Sequence, residues 1–375
     1  MMIIDPIGVY VHIPYCIRKC NYCDFCSLPK GGEGVPDAYV DRLVDEIAAY
    51  RENDKIPVST LYFGGGTPSL LKPEQLEKII SALKLVFDFS IDLEFTIESN
   101  PGTVTADKLR AFKSLGCNRL SLGVQSMIDS ELSSLGRIHT ANDAEHAFAA
   151  ARAAGFGNVS LDLMYGIPGQ STDTFRYTLE RVLELSPEHL SVYGLIVEPG
   201  TPFFRERDYL IFPSEDEECD MYYMASDLLR ERGYAHYEIS NYAREGFFSR
   251  HNLKYWRAEE YIGIGASAAS YFRRRRYVNT SRVAEYLCSR GVNYISDELI
   301  DGDTAAYEYA MMRLRLSEGV SLSDYRRRFG RDLLSDREGE LRRLEALGLV
   351  TLDGDRFNLS ERGFYLSNTI LTEIL

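Results

Sequence analysis

A chain of 375 residues, 45% of them hydrophobic, can bury one large domain and a smaller one. Its net charge of −14 weighs against nucleic acid as a main partner, and the start M-M-I-I-D-P lacks the basic and apolar regions of a signal peptide. No apolar run is long enough to span a bilayer, and seven cysteines in so long a chain speak against a disulfide framework and for a reducing, cytoplasmic setting, with peripheral membrane contact left open.

Val9–Ile13 is the first apolar run and reads as a buried strand. The loop leaving it carries Cys16, Cys20 and Cys23 at spacing C-x3-C-x2-C, with Cys26 beyond them. Loops at the C-terminal ends of strands are where α/β proteins place their chemistry. Thiolates are soft ligands suited to zinc or iron–sulfur clusters. Three of them can hold three irons of a 4Fe–4S cube and leave the fourth iron open to a small molecule. The alternative is a zinc knuckle closed by Cys26. Structural zinc sites usually add a second, distant ligand pair, and none follows here.

Further apolar runs at Thr60–Phe63, Leu93–Ile97, Arg119–Val124, Val159–Met164 and His189–Tyr193 alternate with helical patterns. The helical stretches are Ala38–Tyr50, Pro73–Phe87, Ala106–Leu115, Ala141–Ala154 and Thr172–Leu185. That order predicts six βα units and a parallel sheet. It does not separate a curved partial barrel from an open doubly wound sheet. The strand ends carry the signals. Gly64-Gly65-Gly66-Thr67-Pro68 either lets the backbone approach a ligand or forms a tight loop before the helix that Pro73 opens. Glu98 is a capped strand end or an acceptor. Gln125 ends the fourth run, and Arg137 beyond it suits a carboxylate or a surface ion pair. Asp162 lies inside the fifth run, where an unpaired carboxylate is costly, so it belongs to a structural network or to a site.

Asp216–Arg232 is a helix pattern, and Y-A-H-Y-E-I-S-N-Y-A reads as an added strand and loop. S-R-H-N-L-K-Y-W, residues 249–256, holds His251 and the only tryptophan. Tyr261–Ser270 is small and glycine-rich, suited to close packing over the barrel mouth. Arg273–Arg276 is a solvated face or an anion contact. From Asp301 the pattern turns helical and ends in two β runs joined at Asp353-Gly354, a hairpin that gives the region a winged-helix look. With eleven Arg, no Lys and fourteen Asp and Glu over residues 301–375, its net charge of −3 does not suit a DNA-binding wing.

The cysteine motif followed by Asp24-Phe25, with G-G-G-T-P, E-S-N-P, G-V-Q and D-L-M-Y-G-I-P, resembles the radical S-adenosylmethionine (SAM) enzymes. It is closest to the branch of oxygen-independent coproporphyrinogen III dehydrogenases and their haem-chaperone relatives. The resemblance implies a partial (β/α)6 TIM-like barrel over residues 1–205, an extension over 206–298 and a C-terminal helical, winged-helix-like accessory domain over 299–375. It implies that Cys16, Cys20 and Cys23 hold the cluster. Gly66 and Thr67 would receive the methionine amino group of SAM, and Tyr10, Glu98, Gln125, Arg137 and Asp162 would also line SAM. Tyr193 and Ile196 would border its adenine. A reduced cluster would cleave SAM to a 5′-deoxyadenosyl radical, using an electron donor.

Two departures separate the branches. The dehydrogenases carry a cysteine two residues after the third cluster cysteine, where this chain has Phe25; its extra cysteine is Cys26. They also carry a long arm before the motif, whereas Cys16 here leaves no room for one. Both match the haem-chaperone branch. The resemblance also ties His251, in H-N-x-x-Y-W, to haem, but related dehydrogenases carry a similar string, so it does not decide between the branches. The leading expectation is therefore a haem carrier that serves apo-haemoproteins such as respiratory enzymes and retains a cluster and a SAM site. The runner-up is radical decarboxylation of coproporphyrinogen III, and a third reading is a metal-stabilised interaction module without SAM.

Overall fold

The computed structural model describes residues 5–335 and 337–375. The first strand, β1 (Ile7–Ile13), is followed by a two-residue pairing, β2 (Tyr15–Cys16) with β3 (Leu28–Pro29), that closes the cysteine loop. Five strands follow: β4 (Ile56–Gly65), β5 (Phe87–Ser99), β6 (Arg119–Gln125), β7 (Val159–Tyr165) and β8 (His189–Gly194). β1 and these five pair in parallel in chain order, so consecutive strands are neighbours. The helices between them are α1 (Asp37–Ala49), α2 (Pro73–Val86), α3 (Ala106–Ser114), α4 (Asp129–Ser134), α5 (Ala141–Ala153) and α6 (Thr172–Leu185). Local chemistry sets their starts: Thr140 with Asp143 and Ser171 with Thr174 form capping boxes that satisfy the first amides of α5 and α6.

The expected parallel βα order is present, and these strands are more than apolar runs. Each alternates with period two. Val9, Val11 and Ile13, or Leu120 and Leu122, are buried in the layer between sheet and helices. The intervening residues are polar: Tyr10 and His12, Glu94 and Glu98, Arg119 and Ser121, Ser160 and Asp162. They bond to one another across the concave face, as in Tyr62 to Glu98 and Ser121 to Asp162. A partial barrel with a polar lumen results, open at the C-terminal ends of its strands.

The later segments extend this sheet on both sides to twelve strands. After α7 (Pro202–Glu206) and α8 (Glu215–Glu231), β9 (Ala235–Glu238) and β10 (Asn241–Ala243) form an antiparallel hairpin on β8, where the sequence suggested one strand and a loop. α9 (Arg250–Trp256) comes next. β11 (Tyr261–Ile264) then pairs parallel to β1, so much of the glycine-rich 261–270 segment is sheet, and the turn that follows β11 packs closely on β1 at the mouth side, where a Cβ on Gly265 would lie 2.7 Å from the His12 carbonyl oxygen. Gly263 faces the Ala269 carbonyl so closely that a Cβ would overlap it.

β12 (Ala269–Phe272), β13 (Arg275–Asn279) and β14 (Tyr294–Leu299) complete that side, with α10 (Val283–Cys288) between the last two. Arg273 and Arg274 make the β12–β13 turn at φ +52° and +61°. Arg273, Arg275 and Arg276 pair with Glu52, Asp297 and Glu308 of the same chain, so this arginine run is a hairpin of ion pairs.

From Gly302 the chain forms α11 (Gly302–Arg313), β15 (Val320–Ser321), α12 (Leu322–Phe329), α13 (Glu338–Ala346), the hairpin β16 (Val350–Asp353) and β17 (Arg356–Leu359), and α14 (Glu361–Tyr365) with α15 (Ser367–Ile374). β17 lies between β15 and β16 in a three-stranded sheet, completing the helix-and-wing pattern. Tyr309, Leu314, Tyr325, Phe357 and Ile370 form a separate core there, joined by Tyr222 of α8.

Candidate functional site

The cysteine loop leaves β1 at the mouth and is tied down on three sides. Thr67 Oγ1 donates to Cys16 Sγ at 3.5 Å, Arg137 Nη1 donates to Cys20 Sγ at 3.5 Å, and Asn21 Nδ2 donates to the Ser134 carbonyl at 2.8 Å. Gly66 is required here, because a Cβ would lie 2.7 Å from the Tyr15 carbonyl oxygen and 2.9 Å from that of Ile13. The glycine loop after β4 therefore lies directly against the cysteine loop. Burial pushes the Cys16 and Cys23 thiols up, so thiolates form there only beside a strong positive partner such as a metal.

Cys26 is turned away. Its Sγ donates to the Ser281 carbonyl at 3.1 Å, and its own carbonyl meets His12 Nε2 at 3.0 Å. Among the described residues no three His, Cys, Asp or Glu side chains converge on a single-ion site, as a zinc knuckle would need.

The other sequence-predicted residues lie along the lumen below this loop. Tyr10 OH bonds His12 Nδ1 at 3.0 Å, and its ring stacks on Tyr62 at 6.1 Å between centroids. Glu98 accepts from Tyr62 OH at 2.8 Å and from the Gly65 amide at 3.1 Å. Burial, joined by the Asp162 charge, pushes its carboxyl up to about 7 despite those two bonds. Asp162 accepts from Ser121 at 3.0 Å and Ser160 at 3.2 Å, and burial raises it too. Its place in an apolar run is thus explained by the period-two alternation. Gln125 has φ +70°, a left-handed conformation costly for a non-glycine residue, at a register shift between β6 and β7. Arg137 Nη2 donates to the Gly123 carbonyl at 2.5 Å, while its buried Nε has no partner. Tyr193 and Ile196 are exposed, 40% and 70%, beyond the end of β8.

Sequence reasoning missed Arg119. It is 2% exposed, its Nε is unpaired, and it shares the lumen with Glu94 and Asp162, whose charges hold its guanidinium ionised against burial. The signal was available: Arg119, Ser121 and Gly123 alternate with Leu120, Leu122 and Val124.

His251 lies at the opposite, closed end, and the structure does not bring it to the cluster residues. It is 1% exposed. Its Nδ1 pairs with Thr60 Oγ1 at 2.8 Å and its Nε2 with Tyr255 OH at 2.7 Å. Its ring stacks on Tyr62 at 5.0 Å, and burial lowers its pKa to about 3. Glu94 anchors the start of α9 by accepting from the Arg250 and His251 amides, both at 2.9 Å.

A partial barrel with three cysteines at its mouth defines a radical SAM protein, and the family described as the Radical SAM superfamily matches residues 10–182. The HemN C-terminal domain matches residues 300–366. The chain belongs to the HemW family. It is 35% identical to the heme chaperone HemW of Lactococcus lactis over 100% of this chain and 98% of that protein. It is 36% identical to that of Bacillus subtilis (98% and 99% covered) and 34% identical to that of Escherichia coli (99% and 98%). Among solved structures it resembles coproporphyrinogen III oxidase (HemN) of Escherichia coli, a radical SAM enzyme, with TM-score 0.85 and 25% identity over 99% of this chain and 90% of that one.

Proposed function

We propose that the chain is a haem carrier that binds a 4Fe–4S cluster, SAM and haem and delivers the haem to apo-haemoproteins. The observation that carries this reading is end-to-end similarity to HemW proteins, supported by Phe25 and the turned-away Cys26 in the cluster loop. It divides the work among a barrel (1–205), an extension holding α9 (206–298) and an accessory domain (299–375).

The mouth fits the cluster and SAM. Arg137 Nε is a buried, unpaired donor, Gly66 lets the glycine loop pack directly on the cysteine loop, and buried thiols await a cation. Cys16, Cys20 and Cys23 would hold the cluster, which when reduced supplies one electron for cleaving SAM. Gly66 and Thr67 present a carbonyl and a hydroxyl to an amino group. Arg137 offers a guanidinium edge to a carboxylate, and Gln125 offers both ends of an amide. Glu98 and Asp162 accept from hydroxyl or amino donors, while Tyr10 borders them. An electron donor is required, and among the described residues no helix is long and apolar enough to cross a membrane.

The test is a haem titration of the cluster-reconstituted protein, followed at the Soret band. Saturable one-site binding, with transfer to an apo-haemoprotein, is the expected result. Absence of binding would end the carrier reading and leave SAM-dependent release of carbon dioxide from coproporphyrinogen III as the activity to measure. That second reading is favoured by the TM-score of 0.85 to the oxidase.

A further inference from the structure

A cleft of about 200 Å³ opens at the closed end of the barrel, lined by Ser59, Thr60, Arg250, Lys254, Arg257 and Glu259. The cavity at the mouth, lined by Cys20, Thr67 and Gly136 among others, is far smaller at about 10 Å³. Three cations and one carboxylate line the larger cleft, in a chain of net charge −14. Lys254 is 7% exposed, and its Nζ donates to the Pro6 carbonyl at 2.7 Å and to Glu259 at 2.9 Å. A buried ammonium pinned in this way is a fixed charge at the cleft wall.

The two arginines are held from outside the cleft. Arg250 pairs with Asp92 at 3.1 Å, and Arg257 makes two bonds to Glu318 at 2.9 and 3.2 Å. The Arg250–Asp92 pair is solvent-exposed, and such pairs contribute little, so an incoming carboxylate can take over Arg250 readily; the Arg257–Glu318 fork is half-buried, and a carboxylate there shares the guanidinium edge that the fork leaves free. Arginine forks match carboxylates in shape as well as charge. Thr60 joins this cleft to α9: it is one of the residues lining the cleft, and its buried hydroxyl bonds His251 Nδ1 at 2.8 Å. Gly8 keeps the wall thin, since a Cβ there would lie 3.1 Å from Lys254 Cδ and 3.3 Å from His251 Cε1.

We propose that this cleft is the seat for the carboxylate edge of haem, with Arg250 and Arg257 receiving the two propionates and Lys254 supplying the buried third charge. The proposal rests on the haem-carrier reading. It places haem at the opposite end of the barrel from the cysteines, so that haem and SAM do not compete for one space. His251 reaches an iron only if Thr60 releases Nδ1, so the seat makes the first contact and the imidazole follows.

The experiment is a titration of the full-length, cluster-reconstituted protein with ferric haem and, in parallel, with haem dimethyl ester, whose propionates are uncharged. Soret absorbance and quenching of Trp256, the sole tryptophan, are both read. Free haem is expected to bind about tenfold more tightly than the ester. Arg250→Gln and Arg257→Gln should each weaken free haem about fivefold and leave the ester unchanged. Glu259→Gln, which removes the competing carboxylate, should tighten free haem, a gain that misfolding cannot imitate. Equal affinity for haem and ester, or variants that lose both alike, would overturn the seat while the carrier reading stands. No saturable haem binding would overturn the carrier reading and the seat with it.

Discussion

The two ends of the barrel differ in how completely the chain satisfies its own polar groups. At the mouth, Arg137 Nε is buried without a partner, Gln125 is held at φ +70°, and the Cys16 and Cys20 sulfurs meet only long bonds from Thr67 and Arg137. At the closed end, both ring nitrogens of His251, both oxygens of Glu94 and the ammonium of Lys254 are paired, while Arg119 Nε is not. An unpaired buried donor costs on the order of 1–3 kcal/mol, and a strained residue about as much. Such costs persist where a ligand offsets them. The unpaired groups at the mouth are therefore free to take a ligand, whereas at the closed end α9 supplies partners to Glu94 and Thr60.

The largest effect expected from this contrast is at Cys20. Cys20→Ala should abolish the visible absorbance of the cluster after anaerobic reconstitution while leaving the far-ultraviolet circular dichroism unchanged, because the loop is anchored independently through Asn21. An intact cluster spectrum would show that the ligand set is wrong. Asp162→Ala comes next. It removes an acceptor held by Ser121 and Ser160, and calorimetry should show SAM binding weakened by about tenfold or more, the range for hydrogen bonds to a charged group. Unchanged affinity would move Asp162 from the mouth's binding set to its framework.

The two ends also carry opposite pH signatures. Glu98 titrates near 7 in the folded chain against an ordinary 4.5, so the native state keeps its proton longer than the unfolded state. Its contribution to stability is full at low pH and is lost as pH rises through that interval. His251 titrates near 3 against 6.5, so its contribution is present above 6.5 and is lost as pH falls. Glu98→Gln should flatten the decline in melting temperature between pH 4.5 and about 7, the interval its shift spans. Part of the slope should remain, because burial raises Glu238 and Asp162 in the same direction. An unchanged profile would mean that Glu98 is not the group that makes the mouth sensitive to alkali.

Much of the mouth was legible because its residues stand at strand ends and in compact strings, where spacing is local. Cys16, Cys20 and Cys23 lie within eight residues, and Gly66 and Thr67 within one loop. The lumen was less legible. Arg119 and Glu94 look like ordinary strand residues until the period-two alternation of all six strands is read together, and Asp162 looked anomalous for the same reason. The closed end was least legible. His251 meets Thr60 across 191 residues and Tyr62 through ring stacking, and while the i,i+4 spacing to Tyr255 within H-N-L-K-Y-W is a local signal for one nitrogen, nothing local reports the partner of the other.

The smallest effect tests whether the ends are independent. Tyr255→Phe removes the hydroxyl bonded to His251 Nε2 and nothing else, so it leaves one buried ring nitrogen without a partner. The expected cost is about 1–3 kcal/mol in urea unfolding, seen as a lower midpoint with an unchanged slope. SAM affinity should not move, because Tyr255 meets the mouth through stacked rings, His251 on Tyr62 at 5.0 Å and on Tyr10 at 6.5 Å, with Tyr62 and Tyr10 6.1 Å apart. Stacked rings resist sliding but do not fix the hydroxyls of Tyr10 and Tyr62, which are held by His12 and Glu98. A loss of SAM affinity beyond the loss of folded protein would show that the stack transmits the change, and the barrel would then have one coupled interior instead of two separately completed ends.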